Sequence, residues 1–147
     1  MATPIQLARM ISAIFTGYLV KPRILIDEPI ETEPLNLPRH IRKFLQKSMK
    51  RVVEYGTGLR MKRVKDIKMY AKTSTAQTSD LQKRELGAQY LEHGWLVGNF
   101  SYKDNPALTV VVLVEHAGSS QVATGIVRNF LSEYKRLMDS REVQKVI

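Results

Sequence analysis

The sequence predicts an α+β domain, and three observations carry that reading. Two stretches with apolar residues at helical spacing occupy the first third of the chain. Three extended runs follow after residue 66, and a long helical pattern closes the chain. Thr3-Pro4-Ile5-Gln6 opens the first helix: Thr3 caps, Pro4 suits the first turn, and Gln6 stands where a capping box needs it. Leu7, Met10, Ile11, Ile14 and Phe15 form its apolar stripe, and Gly17 ends it. Lys21–Asp27 reads as a short extended segment. Residues 28–38 hold Pro29, Pro34, Pro38 and several acids, and read as a surface loop.

The second helix is expected from about Pro38 to Glu54. Its buried stripe is Ile41, Phe44, Leu45, Met49, Val52 and Val53, with bases on the other face and Gly56-Thr57-Gly58 as its stop. Leu59–Lys68 is basic and shows no clear period. Ile67–Gln77, Gly94–Tyr102 and Leu108–His116 are the strand candidates. The β-branched run Leu108–Val114 predicts a central strand. Lys103-Asp104-Asn105-Pro106 predicts an antiparallel hairpin between the last two strands. Residues 78–92 are a polar connection. Gly118-Ser119-Ser120 opens a long helix with Val122, Ile126, Phe130, Leu131, Tyr134 and Met138 on one stripe.

Composition narrows the function classes. The 147 residues suffice for one domain with a real core, and 44% hydrophobic and 25% charged residues are ordinary for a globular protein. The absence of cysteine excludes disulfide frameworks and thiolate metal sites. The net charge of +9 favours anionic contacts without selecting one. The apolar stretch Ile11–Val20 is interrupted by Thr16, Gly17 and Tyr18, and is too short for a bilayer span of about 20 residues. No signal or anchor is therefore expected in this sequence.

The chemistry concentrates in Lys72-Thr73-Ser74-Thr75-Ala76-Gln77. Alternation along a strand puts Thr73 and Thr75 on one face. Two hydroxyls beside the Lys72 charge can hold a carboxylate, and a strand N–H can face an oxyanion. The plainer alternative is a polar edge strand.

The flanks favour the first reading. The run is one glycine away from the Lys-Thr-Gly-Thr-Ala-Gln of penicillin-binding transpeptidases. Ala2-Thr3-Pro4-Ile5-Gln6-Leu7-Ala8, Gly56-Thr57-Gly58, His93-Gly94-Trp95-Leu96-Val97-Gly98, Asp104-Asn105-Pro106, Val112-Leu113-Val114-Glu115-His116 and Gly118-Ser119 follow in that family's order. Over residues 2–138 the chain resembles the penicillin-binding protein 2 type of class B D,D-transpeptidase.

The resemblance implies the C-terminal part of the penicillin-binding and serine β-lactamase-like transpeptidase fold. It would comprise three antiparallel strands, two or three N-terminal helices and one long C-terminal helix on the sheet. The helical part is expected over residues 1–66, the strands and last helix over 67–140, and a tail over 141–147. By resemblance, Lys72, Thr73, Ser74 and Thr75 bind substrate. Lys72 bonds the serine of the family's second motif. Thr73 and Thr75 bind the carboxylate of a peptidoglycan stem peptide or a β-lactam, and the Thr75 N–H is half of the oxyanion hole. Ser74 departs from the family glycine, and its hydroxymethyl group is expected to crowd the site or shift the strand.

No catalytic residue is expected in this chain. The family's Ser-x-x-Lys and Ser-x-Asn motifs lie upstream of the Thr-Pro helix, so the nucleophile is expected from an N-terminal part of the same domain. The string Ser132-Glu133-Tyr134-Lys135 follows the Lys-Thr strand, the wrong order, and reads as a helix face. No metal and no cofactor is expected: His93 and His116 lack ligand spacing and read as strand-end packing, and His40 as exposed.

The leading expectation is a peptidoglycan D,D-transpeptidase fragment that is inactive alone. The family acts at the outer face of the bacterial inner membrane, with membrane attachment expected only through an anchor outside this sequence. A non-catalytic binding remnant is the alternative. A nucleic-acid-binding module, suggested by the basic residues of 39–51 and 60–68, is set aside because no aromatic interleaving accompanies them. No nucleic-acid partner is expected.

Overall fold

The computed structural model describes residues 2–144. Helix α1 (Pro4–Thr16) starts as its sequence dictates. The Thr3 hydroxyl accepts from the Gln6 N–H, and the Gln6 side chain accepts from the Thr3 N–H. Gly17 ends it in the left-handed region, φ 89°, a conformation glycine adopts without steric cost. The chain then forms a small hairpin in which β1 (Tyr18–Val20) pairs antiparallel with β2 (Thr32–Pro34). The extended residues are thus 18–20 rather than 21–27, of which 24–27 make bends and a turn. Three-residue exposed strands carry too little period-2 pattern to be read in advance.

Helix α2 (Arg39–Tyr55) follows, and its buried residues are Met49 and Val53. Phe44, expected inside, is 67% exposed, because the buried stripe is narrower than the apolar one. The basic stretch begins with a 3-10 helix (Leu59–Arg63) that buries Met61. The large sheet has three antiparallel strands, β3 (Ile67–Ala76), β4 (His93–Tyr102) and β5 (Leu108–Val114), in that order. The hairpin between β4 and β5 stands as expected. The central strand, however, is β4 and not Leu108–Val114, which forms an edge of this sheet. The apolar run in β5 reflects cover on both faces, not a neighbour on both sides.

That cover comes from helices on the two faces. On one, α3 (Ser120–Gln144) places Ala123, Val127 and Leu131 against Ala71, Leu96 and Phe100. On the other, Ile11 of α1 and Met49 of α2 pack on Val97, with Tyr70 and Val111 beside them. Val53 and Met61 belong to the α3-side cluster. The segment after α2 therefore passes from one face to the other around the edge of β3. Each fully buried Leu or Val contributes about 1.5–3 kcal/mol. The expected stripe of α3 holds in part: Leu131 is buried and Tyr134 packs on the core, but Val122, Ile126 and Phe130 are half-exposed, and Ala123, Thr124 and Val127 are buried instead. Helix α3 also continues to Gln144, into the stretch expected as a tail.

Candidate functional site

Strand pleating divides the Lys-Thr-Ser run between two environments. Thr73 and Thr75 share the α3 side, opposite Leu96 and Gly94 of β4. Thr73 is buried, 7% exposed, and its hydroxyl lies 2.6 Å from that of Thr57. Thr57 sits in the Gly56–Gly58 turn that rounds the edge of β3. Thr75 is exposed, and its hydroxyl oxygen accepts from the Ser120 N–H at 3.2 Å. The Thr75 O–H proton therefore remains free to donate to a ligand.

Lys72 and Ser74 lie on the other side and are exposed. The Lys72 ammonium donates to the Thr73 carbonyl of its own strand. Ser74 causes no break: pairing runs without interruption through Ser74–Trp95, and its φ is not positive. β3 is an edge of the sheet, so alternate backbone groups on its outer side have no strand partner.

The start of α3 closes this corner. Gln121 Nε2 donates to the Thr57 carbonyl at 3.3 Å, the Gln121 N–H to the Ser119 hydroxyl at 3.2 Å, and the Thr124 hydroxyl to the Ser120 carbonyl at 3.1 Å. The N-terminus of a 25-residue helix thus stands beside Thr75, with Lys72 nearby in sequence. The helix dipole favours an anion there, while the Lys72 ammonium stands on the other face of β3. Thr57, Ser120 and Gln121 join the candidate site through these bonds, and local sequence reasoning missed them. Thr57 and Gly118-Ser119 were legible as family matches, but a bond spanning 45 residues has no local signature.

The connection from β3 to β4 is ordered by its own bonds. The Thr78 hydroxyl donates to the Leu91 carbonyl at 3.0 Å and the Ser79 hydroxyl to the Tyr90 carbonyl at 2.9 Å. Arg84 pairs with the buried Glu92 at 2.7 Å. Glu92's own backbone N–H, and then Arg84, hold its carboxyl below the usual range. His93 and His116 meet edge to face at 4.8 Å, and the His116 N–H donates to His93 Nδ1 at 3.0 Å. The remaining Ser-x-x-Lys string is a helix face: the Ser132 hydroxyl donates to the Arg128 carbonyl, and Lys135 pairs with Asp139 and Asp66.

Comparison with known proteins agrees with this architecture. The family model described as penicillin binding protein transpeptidase domain matches residues 1–132, and the chain belongs to that family. No curated protein matches it. Among solved structures, it is similar to the complex between penicillin-binding protein (PBP2) and MreC from Helicobacter pylori. That match has a TM-score of 0.72 at 24% identity, covering 93% of this chain and 25% of that one. It is also similar to the D,D-transpeptidase domain of a peptidoglycan glycosyltransferase from Eggerthella lenta. Here the TM-score is 0.63 at 18% identity, covering 99% of this chain and 33% of that one. At these identities the likeness is one of fold. The chain spans a quarter to a third of the length of these two structures. Among the described residues no helix is long and apolar enough to cross a membrane.

Proposed function

We propose that this chain is the carboxylate-recognition part of a peptidoglycan D,D-transpeptidase. Its serine nucleophile would lie outside these 147 residues, in the N-terminal part of the same domain, acting at the outer face of the bacterial inner membrane. The observation that carries the reading is the corner formed by Thr73, Thr75 and the start of α3, with Lys72 on the opposite face of the same strand. Thr73 and Thr75 present hydroxyls on one face, and the helix start supplies positive potential. In the proposal, Thr75 donates its O–H to the terminal carboxylate of a stem peptide or to a β-lactam carboxylate. Its N–H contributes half of an oxyanion hole, and Lys72 steadies a serine of the missing part. An MreC-like protein is a candidate partner, since the Helicobacter pylori neighbour is seen in such a complex.

Fluorescent penicillin tests this. The chain alone is expected to stay unlabelled. Supplied with the N-terminal part of its domain, the complex is expected to be labelled on the serine of that part, and Lys72→Ala to reduce labelling sharply. Denaturation-resistant label mapped to a residue within 1–147 would refute the assignment. Ser74 motivates a second reading, a binding protein that no longer acylates. It predicts saturable but reversible penicillin binding even in the complemented protein.

A further inference from the structure

The β1–β2 hairpin ends in an apolar tip that none of the described residues covers. Ile24 is 98% exposed, Ile26 84%, Ile30 67% and Leu25 64%. Together they expose on the order of a few hundred Å², the size at which an apolar patch marks an interaction site. The tip is not slack. Arg23 Nη1 donates to the Ile26 and Glu28 carbonyls at 2.6 and 2.5 Å. Behind it, Lys21 pairs with Glu31 at 2.7 Å, and its N–H donates to the Glu31 carbonyl at 3.0 Å. A pre-ordered apolar tip loses little entropy on docking.

Charge says what the tip fits. Around it stand Asp27, Glu28, Glu31 and Glu33 against Lys21 and Arg23, an acidic excess in a chain of net charge +9. An anionic surface is therefore a poor partner, and an apolar patch rimmed by bases is a good one. The chain carries such a patch. On the outward face of α2, Phe44 is 67% exposed with Ile41 beside it, and exposed His40, Lys43, Lys47 and Arg51 surround it. We propose that the hairpin tip of one copy docks on the Phe44 face of α2 in a second copy. The exchange is reciprocal and gives a dimer with the same two patches used twice.

Sedimentation equilibrium of the chain tests this. A species of twice 16.8 kDa is expected. Ile26→Asp and Phe44→Asp, both at exposed positions, are each expected to weaken association by about tenfold or more, with unchanged circular dichroism. Lys43→Glu with Lys47→Glu is expected to weaken it similarly, and adding Asp27→Lys with Glu28→Lys to restore it in part. A monomer at high micromolar concentration overturns the proposal. So does association that survives both aspartate variants, which would implicate another surface such as the open edge of β5. Vesicle binding abolished by Ile26→Asp in a chain that stays monomeric would overturn it in favour of lipid.

Discussion

Gly94→Ala tests whether the start of α3 is held against β3 by close backbone approach. A Cβ at residue 94 would meet the Ser119 carbonyl oxygen at 2.5 Å, the Ser119 carbonyl carbon at 3.2 Å and the Ala117 Cβ at 3.3 Å. Ordinary contact begins near 3.4 Å, so the turn must retreat by 3.4 − 2.5, about 0.9 Å. It is tied on both sides, by the Gly118 N–H to the Glu92 carbonyl at 2.9 Å and by the His116 N–H to His93 at 3.0 Å. Retreat also lengthens the 3.2 Å bond from the Ser120 N–H to Thr75. Overpacking costs about 1–3 kcal/mol and one strained hydrogen bond about 1 kcal/mol. Removing a strand glycine returns about 0.5–1 kcal/mol. The net expectation is a loss of about 1–3 kcal/mol, a fall in Tm of roughly 3–10 °C for a chain this size. Circular dichroism melts read the first effect, and the Ser120 amide resonance reads the second. Gly125→Ala is the control. Nothing lies within 4 Å of its Cβ and it sits inside α3, so a gain of about 1 kcal/mol is expected. Gly94→Ala melting with the parent, with an unmoved Ser120 amide, would refute the close-approach argument.

Three further outcomes follow from the same corner. Thr57→Val leaves the buried Thr73 hydroxyl without its 2.6 Å partner, at a cost of about 1–3 kcal/mol by urea denaturation. The double variant with Thr73→Val should recover part of it. Glu92 has a depressed carboxyl, so its contribution is present above the ordinary carboxylate range and is lost as pH falls through its lowered value. The protection factors of amides in residues 83–92, corrected for the intrinsic pH dependence of exchange, should therefore fall in acid, and Glu92→Gln should flatten that dependence. Lys72→Ala, at an exposed position, should leave the melt unchanged while sharply reducing the penicillin labelling of the complemented protein.

How much was legible depends on the range of the interactions. The capping box of α1 and the turn 103–106 are local, and both elements formed as read. The position of β5 was misread because a Val-rich run reports what lies above and below a strand. Here α3 and α1 cover Val110, Val112 and Val111 from opposite faces, while one lateral side has no strand partner among the described residues. The stripe of α3 was misread for a related reason. Small residues, Ala123 and Thr124, are fully buried, and the bulkier Val122, Ile126 and Phe130 stay half-exposed. Of the candidate site, the threonine alternation was legible, but the tethers to Thr57, Ser120 and Gln121 depend on how α2 and α3 meet the sheet.

Ser74 shows why that geometry matters more than the motif letter. Glycine is required where φ is positive or where backbone must approach backbone. Neither holds here: residue 74 is extended, its pairing is unbroken, and its side chain lies on the exposed face opposite the tethered threonines. The shift of the strand expected from the sequence is therefore absent, and only crowding of the exposed face that Ser74 shares with Lys72 remains as a consequence. Ser74→Gly separates the two. It should lower stability slightly, by up to about 1 kcal/mol, since a strand-interior glycine loses more backbone entropy. In the complemented protein it should raise the rate of penicillin labelling. Increased stability on Ser74→Gly would mean that the serine strains β3 after all.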